Sequence, residues 1–135
     1  MNKEWRQKLF QVPLQEFTLN PLGFPLSKTK GAEILGVCLR TWLRWESLAM
    51  LIPEYKLQHI QLKKRAEEAG AVAPIVPYQV WCCGRIGEIF DLLPHGLSKK
   101  WMVQEYLKAN FEEFTREAYR EEQERFTSLI MEATK

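Results

Sequence analysis

The sequence predicts a mainly α-helical fold, built on two short helices that meet at a sharp turn and ending in one long helix. Three observations predict it. Apolar residues recur at threes and fours rather than in strict alternation. Gly36, Pro53, Gly70 and Pro77 fall where helices would stop or start. From Ser98 to the last residue there is no Gly or Pro at all.

The elements follow in order. Residues 3–10 make about two helical turns, with Trp5, Leu9 and Phe10 placed to dock on a neighbour, and Pro13 ends them. Asn20, Pro21, Gly23 and Pro25 mark an irregular arm. Ser27 is a good N-cap for a helix beginning at Lys28, which Gly36 interrupts. A second helix runs from Leu39 to Ala49 and stops before Pro53. From Lys56 to Ala69 the pattern is again helical, with Leu57, Ile60 and Leu62 on the apolar side and Gly70 as C-cap. Residues 71–76 are extended, because Pro74 and Pro77 exclude a helix interior. Pro77 suits the first turn of a helix that buries Val80, Trp81, Ile86, Ile89 and Phe90, closed by the corner Pro94, His95, Gly96.

Ser98 then caps a helix that runs unbroken to about Ala133 and spans about 50 Å. Its apolar stripe comprises Val103, Leu107, Phe111, Phe114, Ala118, Phe126 and Leu129, widened by Tyr106, Tyr119 and Ile130. A domain this small cannot cover such a helix, so the stripe predicts a homodimer, with Leu107, Phe111, Phe114, Ala118, Phe126 and Leu129 at its interface. A helix folded back on its own domain is the alternative. The expected organisation is an N-terminal helix and arm at 1–25, a unit at 26–97 built on the two short helices, and a dimerisation helix at 98–135.

Composition excludes several classes. Of 135 residues, 46% are apolar and 12% aromatic, too many for a disordered chain. No run approaches the roughly 20 apolar residues that span a bilayer. The charged N-terminus is unlike a secretory signal. Three cysteines without a CxxC pattern suit a reducing cytoplasm. Net charge is only +2, but residues 26–65 hold eight basic side chains against three acidic ones, which suits a polyanion.

The informative stretch is residues 26–55. Two helices meeting at a tight bend need small residues at the approach, and Ala32 and Gly36 supply them. Leu35, Val37, Trp42 and Trp45 then fall inward, leaving Cys38, Leu39, Arg40, Leu43, Arg44 and Ser47 outward. A short helix that displays two arginines, beside a neighbour that starts with lysines, has the chemistry of a major-groove reader.

With Leu26 and Ser27 leading in, Ala32 to Val37, then Thr41, Arg44, Trp45 and Glu46, and the exit Leu51, Ile52, Pro53, the stretch resembles the helix-turn-helix of MerR-type and excisionase-like regulators. The likeness covers about thirty of the 135 residues, and extends weakly to the order of the later helices. It implies a MerR-like (winged) helix-turn-helix with a long C-terminal dimerisation helix. Region 54–76 departs from it, being long and partly helical where that family has a short basic hairpin as its wing. No effector domain follows, so no small-molecule effector is expected.

The implied function is sequence-specific binding of double-stranded DNA by a dimeric transcriptional repressor that reads an inverted repeat through helix 39–49. Arg40 and Arg44 are the expected base contacts. Lys28, Lys30, Thr41 and Lys56, with Cys38 on the same face, complete the expected DNA-binding set. An excisionase-like DNA-bending factor and a protein adaptor with a degenerate motif are the alternatives. No catalytic pair, phosphate loop or paired-carboxylate pattern is visible, so no enzyme is expected. Cys82 and Cys83 are adjacent and lack a partner at ligand spacing, so neither metal nor cofactor is expected.

Overall fold

A computed structural model of the chain describes residues 1–11, 26–94 and 98–133. The expectations for Pro13, the arm at 20–25 and the His95–Gly96 corner lie outside the described residues. The described chain is mainly helical. Helix α1 covers residues 5–11. It is followed by α2 (Lys28–Leu35), α3 (Leu39–Ala49), α4 (Pro53–Ala69), α5 (Pro77–Leu92), α6 (Lys99–Ala109) and α7 (Arg116–Ala133). A single 3-10 turn at Phe111–Phe114 joins α6 to α7.

Local chemistry sets most boundaries. The Ser27 hydroxyl accepts the Lys30 N–H at 3.0 Å and opens α2. Gly36 takes the left-handed conformation, φ 72°, so that the Val37 N–H returns to the Ala32 carbonyl at 3.0 Å and closes it. Gly70, φ 66°, ends α4 in the same way. Helix α4 begins at Pro53, one turn earlier than expected, since proline is preorganised for the first helical turn. At the start of α5 the Gln79 side chain accepts the Val76 N–H at 2.9 Å.

Helix α5 is the centre of the molecule and touches α2, α3, α6 and α7. It can do so because two of its residues are glycines facing indoles. A Cβ on Gly87 would lie 2.5 Å from the Trp45 ring, and one on Gly84 2.8 Å from the Trp5 ring. Trp5, Trp42, Trp81, Tyr55 and Phe114 are fully buried, and the core draws on α1, the 26–94 segment and the C-terminal helices together. The N-terminal segment therefore covers the chain's own core. Trp5, Leu9 and Phe10 are buried, and the Asn2 N–H donates to the Leu35 carbonyl at 2.8 Å.

Region 54–76 contains no hairpin. Its residues form α4 and an extended stretch whose Ile75 makes an isolated antiparallel bridge to Leu26. Among the described residues no strand pair occupies the place of a wing. The buried face of α4 is Tyr55, Leu62 and Ala66, while Leu57 and Ile60 are about half exposed, so the expected apolar side is rotated.

The largest correction concerns the C-terminal helix, which is broken rather than continuous. Helix α6 ends at Asn110, whose amide Nδ2 donates to the Tyr106 carbonyl at 3.0 Å. After the 3-10 turn, the Thr115 hydroxyl accepts the Ala118 N–H at 3.1 Å and starts α7. The reversal is held from outside: the Tyr78 hydroxyl donates to the Phe114 carbonyl at 2.6 Å, Arg85 donates to the Glu113 carbonyl, and the Arg116 N–H donates to Glu54 at 3.0 Å.

Helix α7 thereby folds back on the core. The Phe126 and Phe10 ring centroids are 5.1 Å apart, and Tyr119 stacks edge-on to Trp81 at 5.6 Å. Arg6 pairs with Glu88 and Glu122, and Trp81 donates its indole N–H to Glu122, which ties α1, α5 and α7 together. Of the residues expected at a dimer interface, Leu107 and Phe114 are fully buried within the protomer, and Phe126 and Ala118 pack against that same core. Phe111 and Leu129 alone of the six are exposed. Among the described residues no helix is long and apolar enough to cross a membrane.

Candidate nucleic-acid interface

The amphipathic pattern of α3 decides what it shows to solvent. Trp42, Trp45, Leu48 and Ala49 turn inward against α2 and α5. What is left is an outward stripe at 40, 43, 44 and 47, one face at helical spacing. Arg40 and Arg44 are both exposed, and among the described residues neither side chain makes an ion pair or hydrogen bond. The two guanidinium groups are one turn apart and unspent.

They do not stand on a flat surface. Arg40, Leu43, Arg44, Ser47 and Leu48 of α3 meet Phe90 of α5 and Lys100 of α6 around a cleft of about 360 Å³. Among the described residues three cations line it and no carboxylate does. Lys100 was not singled out by the sequence reading, and Phe90, expected to be buried, is only partly so and borders the cleft. The pair Lys99–Lys100 just after Ser98 was a visible signal, but a helix assigned wholly to pairing had no reason to approach α3. Here the Lys99 ammonium donates to the Phe90 carbonyl at 3.4 Å, fixing the start of α6 beside the end of α5.

The other expected DNA-binding residues are placed differently. Lys28 is drawn inward: its ammonium lies 2.8 Å from the Glu46 carboxylate, which is 8% exposed and also accepts from the Trp42 indole at 3.4 Å. A buried carboxylate needs such partners, and this one clamps α2 to α3. Lys28 is thus engaged in an ion pair between the two helices, with its side chain about one third exposed. Lys30 is exposed and 3.9 Å from Glu33 of its own helix, a weak surface pair. Lys56 is exposed on α4 and does not line the cleft.

Cys38 and Thr41 come together at the start of α3, with Sγ and Oγ1 3.3 Å apart. The Thr41 hydroxyl, which hydrogen-bonds the exposed Cys38 sulfur, holds that thiol below its ordinary value. Cys82 and Cys83 are the opposite case. Both are fully buried in α5, and burial pushes both thiols up, away from the reactive thiolate. Among the described residues no three His, Cys, Asp or Glu side chains gather to hold a metal ion.

Comparison of the chain with protein-family models, with curated proteins and with solved structures found no significant match.

Proposed function

We propose that the chain is a non-catalytic, sequence-specific DNA-binding regulator that presents α3 to a major groove as the second helix of a MerR-like helix-turn-helix. One observation carries the reading: Arg40 and Arg44 project from a helix held from beneath by two buried tryptophans, with no carboxylate among the described residues to satisfy them. Arginines so placed can donate in pairs to guanine edges. Repression through an inverted repeat requires two copies, and pairing would use what α7 leaves exposed near Leu129 and Ile130.

The test is selection of a duplex from a random pool, followed by binding of Arg40→Ala and Arg44→Ala. Each variant should lose about 1–3 kcal/mol on the selected site with its thermal unfolding unchanged. Unchanged binding by both would remove the proposed readout. Light scattering on the complex gives the number of copies bound.

Leu39 and Leu43, each more than 40% exposed beside the arginines, favour a second reading as a protein adaptor. Its mark would be a partner whose affinity is indifferent to salt and to loss of either arginine.

A further inference from the structure

We propose that Lys100, at the start of α6, is a phosphate contact, and that the cleft it forms with α3 seats one phosphodiester of the DNA backbone. The proposal rests on the DNA-binding reading above and adds to it the element that fixes how α3 is held on the duplex.

Electrostatics comes first. Some cations elsewhere meet carboxylates: Lys28 with Glu46, Arg6 with Glu88 and Glu122, Lys30 with Glu33. Around this cleft Arg40, Arg44 and Lys100 converge with no acid among the lining residues. Like charges gathered in one concavity repel each other and raise the local positive potential, and an anion relieves both.

The geometry is also built in. Lys100 belongs to a different helix from the arginines, and that helix is anchored by Val103 and Leu107, both fully buried, and by the Lys99 contact to Phe90. The separation of the third cation from the other two is therefore set by the core. The walls are Leu43, Leu48 and Phe90, which suits the apolar edge of a sugar, and the Ser47 hydroxyl adds a neutral donor.

The division of labour follows from side-chain chemistry. Two arginines on the face of α3 have the planar fork that matches base edges, whereas a lysine is a compact point charge suited to a phosphate oxygen. With no hairpin wing among the described residues, the start of α6 is the part of the fold beside α3 that can hold the backbone.

Two measurements on the full chain test this. The first is binding of the wild type, Lys100→Ala and Lys100→Arg to the selected duplex and to a scrambled one across a range of salt concentrations. Lys100→Ala should weaken both duplexes by the same factor and flatten the slope of log K against log salt by about 0.9, and Lys100→Arg should restore both. The second uses fluorescence. Trp101 is 60% exposed while Trp5, Trp42, Trp45 and Trp81 are buried, so iodide quenching reports on Trp101 alone. Bound duplex should shield it, and Trp101→Phe should remove the signal.

Wild-type DNA binding with an unchanged slope in Lys100→Ala, or with Trp101 still open to iodide, would overturn the phosphate seat and leave the α3 reading standing. Loss confined to the selected duplex would make Lys100 a base contact and overturn it too. Absence of any salt-dependent duplex binding by the wild type, or Lys100-dependent capture of an acidic peptide instead, would overturn both.

Discussion

Residues 28–49 and residues 99–133 are both helix pairs joined by a short break, and the two breaks are made by different physics. Between α2 and α3 the chain carries its own stop, a glycine at φ 72° that only a residue without a Cβ adopts freely. Between α6 and α7 there is no glycine and no proline. Asn110 and Thr115 cap the two ends, but the turn is completed by groups far away in sequence: Tyr78 and Arg85 on α5 take up the carbonyls of Phe114 and Glu113, and Glu54 on α4 takes the Arg116 N–H. The first break is local and the second is tertiary. The first pair also leaves Arg40 and Arg44 facing out, while the second turns Leu107, Phe114, Ala118 and Phe126 toward the protomer's own core.

The sharpest way to break this contrast is Phe114→Ala. Phe114 is fully buried, and the Arg85 guanidinium lies 4.3 Å from its ring centroid. Truncation should cost about 3–5 kcal/mol in urea unfolding and leave the oligomeric mass by light scattering unchanged. A variant of near wild-type stability but altered mass would restore the continuous pairing helix.

A second effect reaches the packing of the C-terminal region. Burial pushes the Tyr119 hydroxyl up to about 12, from an ordinary value of 10.0, and pushes Tyr78 up as well. A proton held more tightly when folded gives stability that is full below the ordinary value and is lost as the pH rises through the folded one. Between pH 10 and 12, hydrogen bonding and packing around α7 should therefore fail, seen as loss of near-ultraviolet circular dichroism. Tyr119→Phe should flatten that dependence. An equally steep fall in the variant would place the alkaline transition elsewhere.

What the sequence disclosed follows the same division. Ser27, Gly36, Gly70 and Pro77 act through their own backbone and their immediate neighbours, so the elements they bound can be read from one stretch of chain. The inward turn of Trp42 and Trp45 is equally local, because helical spacing alone sets it. The break at residues 110–115 was not legible from spacing. Val103, Leu107 and Phe114 face one core from two elements, and a stripe at threes and fours is the same whether one straight helix or two folded ones display it. Thr115, three residues before Ala118, was the available sign, since threonine is a common N-cap.

The candidate site shows both limits. Arg40 and Arg44 were visible because an amphipathic helix declares its solvent face. The ion pair of Lys28 was not visible, because its partner Glu46 belongs to the next helix and a lysine at a helix start reads the same with or without one. Lys100 joins the cleft only because α5 and α6 meet at Phe90 and Lys99.

The smallest effect probes the caps themselves. Ser27 and Thr115 each accept a backbone N–H three residues on, at 3.0 and 3.1 Å, and each opens a helix of its pair. Replacing either with alanine should cost about 1 kcal/mol by thermal or urea unfolding, because the orphan donor loses its acceptor in both. The consequences should nevertheless differ in place. In Ser27→Ala the turn at Gly36 persists, since nothing in it depends on the start of α2, and duplex binding through α3 should survive. In Thr115→Ala the 3-10 turn keeps its contacts to Tyr78 and Arg85, so α6 stays seated while the first turn of α7 frays. Hydrogen exchange should then show faster loss of protection at residues 116–119 and unchanged protection at 103–107. Uniform loss across both segments would mean that the reversal is held as one unit by its cap, and that the distant hydrogen bonds from α5 follow the turn instead of making it.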